Sequence, residues 1–332
     1  MMTYPPRDMT ITILGIDALD PDLIDPDTHE NLSMNAHHPI DTIVSVAGEP
    51  STHELWPTII TGLTPSEHGL KLDDGVTWGN PIFRIGSNIA DYLLPQKIQS
   101  RIGAWLLTNT SEDAFREQAT YYIENGLSTI FDGREAEAIG IPNYVVNPDD
   151  EDREHALRRS MGDLFERDSD AKGGHTSADP IEFYEQCMEM GMVRIARTRR
   201  ALRSRNYELI FGYTSALDLI GHISYDNPDL QHDAYNEMDN FVGELIGDLY
   251  PEDDLLLVSD HGLQDGLHTD EAVVASTDCT LIDNIDSVTD VRAAVEDALD
   301  QNDHAPTGRE RLVQPNNGGD SVRKQLEDLG YM

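Results

Sequence analysis

Asp17, Asp218 and Asp260 each stand just beyond a short aliphatic run: Asp17 after LGI, Asp218 a few residues past FGYT, and Asp260 directly after LLLVS. Two of them have histidines close by. Asp218-Leu-Ile-Gly-His222 is an i, i+4 pair that a helical turn places on one face. Asp260-His261-Gly262 is followed by His268-Thr269 on a glycine-rich loop. Any one of these residues alone reads as a helix cap or a surface group. Arriving together at strand ends, they point to a ligand site, because open α/β sheets bind ligands just outside the carboxyl ends of their strands. Carboxylate and imidazole in this mixture suit Zn²⁺, with Mn²⁺ or Fe as alternatives. A hydroxyl source lies in EPSTHELWPTIITG, residues 49–62. Ser51-x-x-Glu54 has capping-box spacing, so Ser51 reads as an N-cap. Thr52 then falls in the first turn, where N–H groups and the helix dipole favour an anionic phosphate. Pro57 leaves the start of that helix open.

Three buried strands are expected to carry these groups: Met9–Ile16, Leu209–Thr214 and Leu255–Ser259, aliphatic or β-branched on both faces as central parallel strands tend to be. Asp179-Pro180 offers an N-cap and an N1 proline for a helix running to about Arg203. Further amphipathic helices are expected near 232–249 and 288–299. Strands alternating with helices predict an α/β fold, a doubly wound, mostly parallel sheet sandwiched by helices, with residues 1–332 as one domain. Residues 75–178 look different and predict an inserted cap region. It holds helical stretches, a strand at Glu137–Val146 and a polar loop at Asp168–Ala178. A short amphipathic helix is expected at Val322–Met332.

The chain has 332 residues, with 62 Asp and Glu against 23 Lys and Arg, a net charge of −39. A polyanion of this size repels phosphate backbones and anionic lipid, which excludes a nucleic-acid clamp or an anionic-membrane binder. The acid is dispersed, and Lys71, Lys97, Lys172 and Lys324 are the only lysines. Such a fold repels itself in dilute buffer, whereas at molar salt the Debye length falls to roughly 3 Å. An intracellular protein of a halophile is therefore expected; an ordinary acidic protein is the other reading. Cys187 and Cys279 form neither a disulfide framework nor a metal-ligand pair by spacing. The N-terminus lacks a long apolar segment, and no apolar run approaches the ~18 residues of a membrane span. A soluble, cytoplasmic chain is expected, with Met9 an alternative start to Met1.

GIDALD at 15–20, Thr52 with TGLTPSEHG at 61–69, DLIGH at 218–222 and SDHG at 259–262 together resemble the alkaline phosphatase superfamily. The nearest branch is the type I phosphodiesterase and nucleotide pyrophosphatase family. Each motif is short, but they span residues 15–270 in the family's order. The resemblance implies a hydrolase of small phosphate esters with two divalent cations. Its nucleophile lies nine residues before the Thr of the TGL segment, which lands on Thr52. Asp218, His222 and His268 would hold one metal, and Asp17, Asp260 and His261 the other, with the Thr52 oxygen facing it. Two cations roughly 4 Å apart clamp a tetrahedral phosphorus, activate the hydroxyl and stabilise the leaving oxygen. They also offset the repulsion between an acidic protein and an anionic substrate.

Two departures from the family pattern bear on specificity. Relatives often carry Thr-x-Pro at the nucleophile, and here the order is Thr52-His53-Glu54. Counting forward to the phosphate-binding Asn of nucleotide pyrophosphatases gives Asp73, whose charge repels a phosphoryl oxygen unless it is protonated or bridged by a cation. A phosphomonoesterase or phosphomutase on the same core, and a non-catalytic metal-binding relative, are the alternatives. A sulfatase is disfavoured because neither cysteine sits in a Cys-x-Pro-x-Arg context. Oligomeric state is not legible.

Overall fold

The computed structural model describes residues 9–46, 48–71, 117–146, 161, 164–168, 170–172 and 174–302. Asp73, the segment 322–332 and residues 1–8 lie outside them. The strands are β1 (Ile11–Ile16), β2 (Ala36–Asp41), β3 (Ala136–Ile139), β4 (Glu166–Arg167), β5 (His175–Thr176), β6 (Leu209–Thr214), β7 (Asp254–Val258), β8 (Gly262–Gln264), β9 (Leu267–Thr269) and β10 (Glu271–Ser276). The helices, in chain order, are α1 (Glu30–Ser33), α2 (Thr52–Thr61), α3 (Pro65–His68), α4 (Ala119–Glu124), α5 (Pro180–Ser204), α6 (Ala216–Ile223), α7 (Pro228–Ile246), α8 (Cys279–Ile282) and α9 (Val291–Asn302).

The described residues form a six-stranded sheet in the order β2-β10-β7-β1-β6-β3. β7, β1, β6 and β3 run parallel; β10 lies antiparallel between β7 and the edge strand β2, which runs in the direction of the other four. This is a doubly wound, mostly parallel α/β sheet between two helical layers. Period-2 alternation divides the core. Leu14, Ile16, Ile210, Leu255 and Leu257 face α5, α6 and α7. Ile11, Ile13, Phe211, Leu256 and Val258 face α2 and α9. Gly15 pairs with Tyr213 of β6 and Val258 of β7, so the carboxyl ends of the three central strands come level. Asp17, Ser215 and Asp260 therefore emerge along one edge.

Gly15 also seats α2. A Cβ there would lie 2.5 Å from the Trp56 ring, so only glycine lets that indole lie against β1. Trp56 is fully buried and meets Phe211 and Tyr213 edge to face. The N-terminus of α2 is thereby held over the end of β1.

Several expected boundaries shift. The strand expected over Glu137–Val146 ends at Ile139, because Gly140 and Asn143 take φ +70 and +56 and Pro142 has no N–H to pair. Within the stretch expected as a cap, Ala136–Ile139 pairs with β6, and Tyr122, Ile130 and Ile141 join the core that faces α2. Inside the expected loop 168–178, β5 pairs with β4. The two later helices run 228–246 and 291–302, the first beginning at Pro228, a favoured N1 residue. The expected Asp179 cap is present: its carboxylate accepts from Glu182 N at 3.1 Å. Among the described residues no helix is long and apolar enough to cross a membrane.

Candidate metal centre

Asp17 follows β1 directly. Its backbone N–H continues the sheet by donating to Thr214 O, and Ala18 at φ 59 then turns the chain away. The carboxylate is left facing inward, 1% exposed. Its Oδ2 accepts from Tyr213 OH at 2.5 Å, and its Oδ1 from Thr52 Oγ1 at 3.2 Å. Thr52 opens α2, and its hydroxyl also lies 3.3 Å from His261 Nε2. Asp260 and His261, at the end of β7, are both 0% exposed. His261 Nε2 stands 3.5 Å from Asp17 Oδ1 and 3.5 Å from Asp260 Oδ2.

A second group lies alongside. Asp218 and His222, one turn apart on α6, bring Oδ1 and Nε2 to 3.3 Å. His268 on β9 places its Nε2 3.5 Å from the same oxygen and 3.2 Å from His222 Nε2. The rings of His261 and His268 stack with centroids 4.0 Å apart. Ligand atoms of Asp17, Asp260 and His261 lie within 4.8 Å of one another, as do those of Asp218, His261 and His268.

The other ring nitrogens fix the tautomers. His222 Nδ1 lies 3.2 Å from Gly266 O, His268 Nδ1 3.0 Å from Pro50 O, and His261 Nδ1 3.1 Å from Gly262 O. A carbonyl can only accept, so each Nδ1 carries the proton and each neutral ring turns an Nε2 lone pair inward. Two lone pairs 3.2 Å apart beside a carboxylate repel unless a cation or a proton lies among them. Asp218 Oδ1 and Asp260 Oδ2 are buried and have no hydrogen-bond donor. Buried charge of this kind is stable only when paired or ligated. The donor set, carboxylate oxygens with Nδ1-tethered imidazoles, fits divalent cations.

Titration behaviour shows the same imbalance. Burial, then the Asp218 charge, pushes the Asp17 carboxyl up to about 7. Burial and the Asp17 charge hold Asp260 well above the carboxylate range. Burial lowers His261 to about 3, with the His268 charge acting in the same direction. Burial also opposes charge on Asp218 and His268 but is outweighed: the charge and hydrogen bond of His222, with His268 adding to them, hold Asp218 well below the usual range, and the hydrogen bond and charge of Asp218 raise His268 to about 9.

All seven described residues singled out from the sequence thus converge, drawn from β1, α2, α6, β9 and the end of β7. Ser51 differs from expectation. It holds the N-cap position, but its side chain makes no cap hydrogen bond. The capping box forms instead at Thr64, where Glu67 Oε2 accepts from both Thr64 N and Thr64 Oγ1. Two further contributors were not anticipated. Tyr213 is the donor to Asp17; as the penultimate residue of β6 it faces the site, and only the register places it there. Asn143 answers the Pro57 problem. Pro57 has no N–H for the carbonyl four residues back, that of His53, and Asn143 Nδ2 donates to this oxygen at 2.9 Å.

Residues 11–306 match the family model described as type I phosphodiesterase / nucleotide pyrophosphatase. Similar solved structures include alkaline phosphatase from the Antarctic bacterium TAB5, at 11% identity and TM-score 0.43, covering 89% of this chain and 98% of that one. Phosphonoacetate hydrolase from Sinorhizobium meliloti 1021 is 13% identical with TM-score 0.40, over 78% of this chain and 57% of that one. Human ectonucleotide pyrophosphatase / phosphodiesterase 5 is 14% identical with TM-score 0.40, over 76% of this chain and 57% of that one. The chain thus covers little more than half the length of the last two. No curated protein matches.

Proposed function

Because the chain belongs to the type I phosphodiesterase / nucleotide pyrophosphatase family, whose members are metal-dependent phosphoester hydrolases, we propose that Thr52 is its nucleophile and a small phosphodiester its substrate. Asp218, His222 and His268 would hold one divalent cation, and Asp17, Asp260 and His261 the other. Zn²⁺ is the ion this mixture of imidazole and carboxylate suits best, with Mn²⁺ or Fe as alternatives. Bound there, the cations would lower the pKa of the Thr52 hydroxyl and offset charge on the phosphoryl group.

The observation that carries this reading is the position of Thr52 Oγ1, within 3.3 Å of both Asp17 Oδ1 and His261 Nε2. Asp17 Oδ1 orients the hydroxyl by accepting its hydrogen bond. Tyr213, donating to the other oxygen, keeps that carboxylate from turning. The first turn of α2 adds N–H groups and a dipole that favour the phosphoryl oxygens. In the reaction, Thr52 Oγ1 bonds to phosphorus, the bond from phosphorus to the leaving oxygen breaks, and the proton lost by Thr52 is balanced by the one the departing alcohol takes up. Water then attacks phosphorus of the diester now linked to Thr52, the bond from phosphorus to Thr52 Oγ1 breaks, a proton of that water returns to the Thr52 oxygen, and a phosphate monoester is released. The −39 charge with four lysines supports activity in the molar-salt cytoplasm of a halophile.

Turnover of a chromogenic diester against a monoester, in molar KCl with Zn²⁺ or Mn²⁺, tests the substrate class. Diester preference is expected; monoester preference would make the chain a phosphatase on the same core. Thr52→Ala should be inactive on either, and Ser51→Ala active, since Ser51 makes no cap bond whose loss would disturb the helix.

A further inference from the structure

Asp20 belongs to neither group of ligands, yet it is 1% exposed and its partners among the described residues are all neutral. Its Oδ1 accepts from Gln264 Nε2 at 2.9 Å and from Asp22 N at 3.0 Å, and its Oδ2 from Thr269 Oγ1 at 3.0 Å. Its own N–H donates to Tyr235 OH at 2.8 Å, which ties it to α7. Gln264 and Thr269 lie on β8 and β9, the two strands of one hairpin. In that hairpin Gly262 pairs with Thr269. A Cβ on Gly262 would fall 2.3 Å from Asp20 Oδ2 and 2.4 Å from Thr269 Oγ1, so the carboxylate lies directly against this rung.

The rung has His261 immediately before it on one strand and His268 immediately before it on the other. We propose that Asp20 is a positioning residue that clamps the Gly262–Thr269 rung and thereby fixes the separation of His261 and His268. This rests on the reading above, in which the two imidazoles serve different cations. Burying a carboxylate among neutral donors is costly. Here it joins the loop after β1, which carries Asp17, to the hairpin that carries the two histidines. Ligand pieces from distant parts of the chain are thus held by one carboxylate. The same contact explains the glycine of Asp260-His261-Gly262, since any side chain at 262 displaces the clamp.

Cobalt titration of chelator-stripped protein in molar KCl tests this, with visible absorption and a urea melt read on the same samples. Wild type should bind two Co²⁺ per chain. Asp20→Ala and Gly262→Ala should each weaken Co²⁺ binding about 10–100-fold, as outer-shell losses do, and change the shape of the absorption band. Asp20→Asn keeps an acceptor oxygen and should recover part of both. If Asp20→Ala does not fold, Thr269→Val, which removes a single bond, should show an intermediate loss. Wild-type affinity and band shape in the folded variants, even with lowered stability, would overturn the proposal. A wild-type chain that takes up no cobalt would instead overturn the metal reading itself, and the clamp with it.

Discussion

Asn143→Ala tests how α2 keeps its first turn in place despite Pro57. Asn143 is 6% exposed; its Nδ2 donates to His53 O at 2.9 Å, and its Oδ1 accepts from Glu117 N at 3.3 Å. Each bond is worth about 1 kcal/mol net. Asn143 also sits at φ +56, where alanine costs about 1 kcal/mol more than asparagine. The substitution should therefore cost about 3 kcal/mol. Pro57→Ala supplies the missing N–H to His53 O from within the helix, which makes the Asn143 amide redundant for that carbonyl. In the Pro57→Ala background, Asn143→Ala should then cost about 2 kcal/mol, a coupling of about 1 kcal/mol in which the double variant is more stable than the sum of the singles. Urea denaturation in molar KCl, followed by far-ultraviolet circular dichroism, measures all four corners. Equal cost in both backgrounds would refute the reasoning. Thr52 is the residue directly before His53, so Asn143→Ala should also lower kcat more than it raises KM.

Three other expectations follow from single features. Asp260→Ala and Asp218→Ala should each lower the metal content found by elemental analysis from about two ions per chain, and full occupancy in both would mean the ligands are misassigned. His68 is buried, lies 3.1 Å from Thr58 Oγ1 and 3.2 Å from Glu54 O, and burial lowers it from 6.5 to about 4. The unfolded chain therefore binds the proton first. This contribution is complete above pH 6.5 and is lost as pH falls through 4, about 3 kcal/mol in all. The stability gap between wild type and His68→Gln should shrink over that window, and a pH-independent gap would show that His68 titrates normally. Dispersed acid should make the fold salt-dependent, with circular dichroism lost as KCl is diluted; equal stability at low ionic strength would count against a halophilic chain.

The central strands were legible because parallel strands buried on both faces read as continuous aliphatic runs, and the site residues lie at their ends. The Asp218–His222 pair was legible from helical spacing alone. β2 was not: AHHPID buries mainly Ile40, carries Pro39, and lies at the sheet edge where proline is tolerated. β10 was missed for another reason. It enters antiparallel from a tight hairpin, outside the strand–helix rhythm that revealed the others. Ser51 had capping-box spacing without the bond, since spacing does not decide where a hydroxyl turns. Tyr213, Asn143 and Asp20 act on residues 196, 90 and up to 249 positions away in the chain, and no local pattern encodes such pairings.

The covalent step is the central claim, and rapid acid quench of the enzyme turning over a diester in molar KCl tests it most directly. After digestion, mass spectrometry should find the peptide containing Thr52 carrying the transferred phosphoryl moiety, localised to that residue and absent from Thr52→Ala. The same adduct on Ser51, or full turnover by Thr52→Ala with no adduct on any peptide, would contradict the account.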